Sequence, residues 1–131
     1  MKIRLESVSI NDLDQALDFY TNVLGFVKKR DMRYDEHTRV VTVVSPDEPD
    51  GTELLLEPNG EHLATKAYKK ALHDEGIPMT AFLVDDIEAE HKRLTDKGVV
   101  FKSQPQRFHD VTMAVFDDTC GNLIMIYQSH L

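Results

Sequence analysis

Apolar and polar residues alternate over residues 5–10 (LESVSI), and then the period changes. From Leu13 onward the apolar positions Ala16, Leu17, Tyr20 and Leu24 recur at three and four, the spacing of one helix face. The change predicts a strand followed by a helix. Asp12, three residues ahead of Gln15, provides a capping-box-like start, and Gly25 a stop. Charged, strand-like text runs from Gly25 to about Tyr34, His37 falls in a hairpin turn, and the branched residues of 40–44 form the partner strand. Residues 46–51 (PDEPDG) read as a turn before a closing strand, TELLLE, at residues 52–57. On that strand Glu53, Leu55 and Glu57 share one face and Leu54 and Leu56 the other. Glu53 is expected at a rim beside the turn, with Glu57 the deeper carboxylate.

The same order then returns. Residues 79–84 (MTAFLV) read as a strand, a helix from about Ile87 to Lys97 places Ile87, His91 and Leu94 on one face before Gly98, strand-like text follows around residues 111–116, and GNLIMIYQ closes at residues 121–128. The internal period is about 70 residues, with Asp12 over Asp86 and Gly51 over Gly121. Between the copies, Leu63, Ala64, Ala67, Tyr68, Ala71 and Leu72 have helical spacing. They predict a linker helix that covers a sheet edge or a partner subunit, its lysines forming a solvated face. The expected organisation is one domain of residues 1–131: module one at 1–58, the linker helix at 61–75 and module two at 77–131. Neither half alone could bury much core.

Composition narrows the function classes. The chain is 41% hydrophobic, with no long apolar run and no signal-like N terminus, so a soluble, cytoplasmic protein without a membrane partner is expected. Its formal charge of -8, with 15 Lys and Arg scattered among 23 acids, excludes nucleic acid, which needs a basic track. Cys120 is the only cysteine, which excludes an intrachain disulfide and any cysteine cluster. It sits in a DDTCG turn with no activating base in view, and reads as structural. His91 reads as a helix histidine packed against a sheet. His109, expected to begin the penultimate strand, is a candidate ligand contact.

Three motifs carry a family resemblance: NDLDQALDFYTNVLGF at residues 11–26, VDDIEAEHKRLTDKG at 84–98 and FDDTCGNLIMI at 116–126. In order and duplication they resemble the vicinal oxygen chelate superfamily, which includes glyoxalase I, extradiol dioxygenases, fosfomycin resistance enzymes and metal-free bleomycin-binding proteins. The resemblance implies an α+β fold, two βαβββ modules whose mixed sheets curve into a cup, and a homodimer in which Tyr68 and Leu72 contribute an apolar stripe. Metal-binding relatives place His or Glu ligands on the first and last strands of each module. Carried over residue by residue, those positions are Leu5, Leu55, Met79 and Met125. None is an oxygen or imidazole donor, so no metal and no cofactor is expected.

The strand faces that carry these residues also carry Ser7, Ser9, Glu57, Ala81 and Tyr127. Small side chains leave volume, and Leu and Met make an adaptable wall. The expected function is metal-independent binding or sequestration of a small, partly hydrophobic molecule. Leu5, Ser7, Ser9, Leu55, Glu57, Met79, Ala81, His109, Met125 and Tyr127 are the candidate contacts. The alternative is a metal-free, glyoxalase-like lyase or isomerase using Glu57 as general acid or base.

Overall fold

The alternating residues near the N terminus form β1 (Leu5–Ser9), and Asp12 caps α1 (Leu13–Asp18) by accepting a 3.0 Å hydrogen bond from the backbone N–H of Gln15. Such a cap is worth about 1 kcal/mol. A computed structural model describes residues 1–131, which cluster into two units, Met1–Lys66 and Ala67–Leu131.

In the first unit α1 runs into a π-helical turn, Phe19–Val23, where the periodicity predicts an unbroken α-helix. Leu24 N–H reaches back to the Phe19 carbonyl at 3.0 Å, and the Thr21 hydroxyl donates to the Leu17 carbonyl at 2.6 Å. A threonine bonding back to the preceding turn competes with the regular ladder, and the widened turn leaves Phe19 and Tyr20 both buried, edge to face at 5.7 Å. Then come β2 (Val27–Arg33), β3 (Arg39–Val44) and β4 (Glu53–Glu57). The sheet order is β1-β4-β3-β2, with β1 parallel to β4 and the remaining pairs antiparallel. Val8, Val41, Val43, Leu54 and Leu56 are buried together with Ala16, Phe19 and Tyr20, because α1 packs on this sheet through β4. The alternate residues point to the opposite face.

The helix predicted between the modules is α2 (Leu63–Asp74). It packs differently from expectation. The apolar residues Leu63 and Tyr68 are 84% and 58% exposed, and the one buried residue of the helix is a lysine, Lys69. The lysines are therefore not all a solvated face. Lys69 lays its stem inward and donates from Nζ to the Cys120 carbonyl at 2.7 Å, and one turn later His73 Nε2 meets Asp117 Oδ2 at 2.9 Å.

The second unit repeats the order: β5 (Thr80–Leu83), α3 (Ile87–Asp96), β6 (Gln106–Phe108), β7 (Val111–Asp117) and β8 (Leu123–Ser129). The sheet runs β5-β8-β7-β6, again with only the first pair parallel. Asp86 caps α3 from the position equivalent to Asp12, accepting from Ala89 N–H at 3.1 Å. Ile87 and Leu94 are buried with Ala114, Phe116, Ile124 and Ile126, and α3 packs on β7 and β8. His91 is half-buried against Phe101, ring centroids 4.3 Å apart. The fold class is thus α+β, built from two βαβββ modules with four-stranded mixed sheets, as the sequence predicts.

The turn before β8 is stiffened by its own side chains. Asp118, fully buried, accepts from the backbone N–H groups of Cys120 and Asn122 through Oδ1 and from the Asn122 amide through Oδ2. Gly121 has φ 87°, and a Cβ there would stand 3.4 Å from Lys69 Cε. A side chain would be strained by the backbone, although it would meet Lys69 of α2 only at ordinary contact distance.

Candidate ligand-binding faces

In the first unit, the sheet face turned away from α1 is set by register. Leu5 pairs with Glu53, Ser7 with Leu55 and Ser9 with Glu57, and Thr42 pairs with both Leu55 and Arg30. Leu5 and Ser7 are exposed, while Ser9, Leu55 and Glu57 are half-buried. Ser7, Leu55, Thr42 and Arg30 form one row across four strands.

The engaged carboxylate on this face is Glu53, not Glu57. Arg30 donates to it twice, from Nε at 2.8 Å and from Nη2 at 3.2 Å, and the buried Thr42 hydroxyl donates at 2.7 Å. The Arg30 hydrogen bonds, with that from Thr42, hold the Glu53 carboxyl below its ordinary range against the opposing effect of burial. Glu53 thus has only 15% of its side chain exposed, where a rim position predicts a solvated group. Arg30 and Thr42 went unnoticed in the sequence because β2 reads as a charged, solvated strand, and the pairing that brings Arg30 opposite Thr42 includes a register shift between Lys28 and Arg30 that no periodicity reveals.

In the second unit, Ala81 pairs with Met125 and Leu83 with Tyr127, while β7 adds Val115 opposite Met125 and Met113 opposite Tyr127. Met79, just before β5, is anchored by its N–H to the Leu123 carbonyl at 2.7 Å. Leu83 is 61% exposed, and Met79, Met113, Val115, Met125 and Tyr127 are half-buried. This face carries apolar and thioether side chains with one phenol. Met113 and Val115 join the candidates that the sequence proposed.

His109 is placed otherwise than expected. It lies in the turn between β6 and β7, not at the start of a strand, with φ 56° and its ring against Phe108 at 4.6 Å. Histidine is among the residues that tolerate this left-handed conformation. Its carbonyl accepts from Arg107 Nε at 3.1 Å, and the residue is exposed.

No group of three or more His, Cys, Asp and Glu side chains stands close enough together to hold a metal ion. Leu5, Leu55, Met79 and Met125 lie on the two faces just described.

The model of the Glyoxalase/Bleomycin resistance protein/Dioxygenase superfamily matches residues 5–126. The chain belongs to this superfamily. Within reach of that assignment, the uncharacterised protein YurT of Bacillus subtilis (strain 168) is 55% identical over 98% of this chain and 99% of its own length. Among solved structures, UcmS2 superposes with a TM-score of 0.82 at 29% identity, covering 97% of both chains. TnmS3, described as an antibiotic-binding protein from Streptomyces sp. CB03234, superposes with a TM-score of 0.75 at 24% identity over 98% of this chain and 96% of its own, a likeness of fold. No helix is long and apolar enough to cross a membrane.

Proposed function

We propose that this superfamily member binds or sequesters a small, partly hydrophobic molecule without a metal ion, in the cytoplasm, against the sheet faces turned away from its helices. The observation that carries this reading is the chemistry of the four positions where metal-binding relatives place donors. Leu5 and Leu55 in one unit, and Met79 and Met125 in the other, offer two alkyl and two thioether side chains. A divalent ion that prefers oxygen or imidazole would lose water there and gain nothing comparable. The donor set does not fit the metal of the wider family.

What those residues do suit is an apolar ligand. Methionine side chains adapt to irregular shapes and gain from contact with aromatic rings, while Ser7, Ser9 and Tyr127 supply hydroxyls to orient polar groups. TnmS3 shows that a chain of this fold can be an antibiotic-binding protein. We further propose a single functional domain of residues 1–131 that acts as a homodimer; Tyr68, exposed on α2, is the apolar side chain offered to a second copy.

The test is fluorescence titration with N-phenyl-1-naphthylamine, a neutral aromatic reporter, first in EDTA and then with Mn, Ni or Zn ions added. Saturable binding of the same strength in every case is expected, lost when Leu55→Lys places an ammonium on the first unit's face. No saturable binding, or binding that appears only with a metal ion, overturns the proposal.

A further inference from the structure

Arg30 is a cation of the first unit that is fixed from one side and open on the other. A guanidinium has a side edge, Nε with Nη2, and an end edge, Nη1 with Nη2, each presenting parallel N–H donors. Glu53 occupies the side edge with bonds of 2.8 and 3.2 Å, and is itself held by the Thr42 hydroxyl at 2.7 Å. The end edge makes no hydrogen bond within the chain, and the Arg30 side chain remains 55% exposed. An arginine that only balanced Glu53 would not need a buried threonine behind the carboxylate to hold it in one orientation.

The row to which Arg30 belongs gives the rest of the ligand. Arg30 faces Thr42, Thr42 faces Leu55 and Leu55 faces Ser7, so a charged fork and a hydroxyl stand at opposite ends with a leucine between them. Three strand spacings separate the ends, about 14 Å, the length of a molecule of two or three fused or linked rings. Because Glu53 already balances the Arg30 charge, what the end edge offers is the spacing of two donors more than net attraction. That spacing matches two oxygens on one atom.

We propose that Arg30 is a ligand-recognition residue whose free guanidinium edge takes a carboxylate or sulfonate on a planar aromatic molecule lying along the Arg30–Thr42–Leu55–Ser7 row. Glu53 and Thr42 are its positioning residues. The proposal rests on the binding function argued above and names the ligand class.

The experiment compares two probes with one ring skeleton: 8-anilinonaphthalene-1-sulfonate and N-phenyl-1-naphthylamine, which lacks the sulfonate. Native protein should bind the sulfonate more tightly than the neutral probe. Arg30→Gln should weaken the sulfonate by about tenfold or more, the order expected for a lost charge-assisted hydrogen-bonded contact. The neutral probe should stay within about twofold, which also shows that the variant is folded. Arg30→Lys, which keeps the charge and removes the fork, should behave like Arg30→Gln. Equal loss of both probes, no loss of the sulfonate, or full retention by Arg30→Lys each overturns the proposal while leaving the binding function standing. Failure of native protein to bind either probe overturns both.

Discussion

Asp31 lies among cations. Arg39 donates to both of its oxygens at 2.9 Å, and Lys28 Nζ adds a contact at 3.0 Å, so the carboxyl is held far below the ordinary aspartate range, the Arg39 hydrogen bonds contributing most. A carboxyl depressed in the folded state stabilises above its unfolded pKa of about 4, and the contribution is lost as pH falls through the folded value. Asp31→Asn should therefore be less stable than the native chain at pH 7, and the gap should narrow below about pH 4. Urea midpoints across that range check this; a gap that does not change with pH would refute it. Cys120 is moved the other way: burial, with the negative charge of Asp118, pushes its thiol up to about 12. Alkylation by iodoacetamide at pH 8 should be slower than in the urea-unfolded chain by on the order of a thousandfold, in proportion to the lost thiolate. Comparable rates would show that the turn opens freely. At this scale the sequence was legible where a role depends on near neighbours, as for the caps Asp12 and Asp86. It was not legible for Arg30, Thr42 and Glu53, whose meeting depends on three strands and a bulge.

Among the elements, α2 departs most from its sequence. The helical spacing of its apolar residues predicts where the helix lies but not that its buried residue is a lysine. The packed side carries Lys69, whose Nζ satisfies the Cys120 carbonyl, and His73, which pairs with Asp117. Burial pushes the Asp117 carboxyl up, but the hydrogen bonds from His73 and the Thr119 N–H outweigh it and the net shift is downward. A periodicity argument counts Lys as polar and sends it outward, although its long stem can cross an apolar layer when its head has an acceptor. Lys69→Met removes that head and leaves a buried carbonyl without its charged donor, at an expected cost of about 1–3 kcal/mol. Thermal or urea unfolding measures it, and a variant as stable as the native chain would show that the contact adds nothing. The π-helical turn was equally hidden, since apolar steps of three and four suit both kinds of turn. The strands were legible from apolar and branched runs between turn signals, although the run Leu54-Leu55-Leu56 does not itself show that Leu54 and Leu56 are buried and Leu55 half-buried.

For the molecule as a whole, duplication made the fold readable. Two copies of one weak pattern, each with a capped helix and a first strand parallel to its last, constrain the architecture far more than either alone. The charge of -8 sets the long-range field, and it opposes the local preference of Arg30. Binding of 8-anilinonaphthalene-1-sulfonate should therefore strengthen as salt is raised from low ionic strength towards about 0.15 M, where the Debye length shrinks to about 8 Å and the repulsion of distant acids is screened. A steep fall with salt would show instead that net positive charge, and not donor geometry, holds the anion.

The alternation along β4 and β8 has a consequence for how such a protein can change over generations. The residues that hold each helix to its sheet and those that would meet a ligand occupy alternate positions on the same strands. Mutations at Leu55, Met125 or Tyr127 can remodel the proposed recognition surface while leaving Leu54, Leu56, Ile124 and Ile126 in place. Inherited variation in the proposed binding face need not pass through unfolded intermediates.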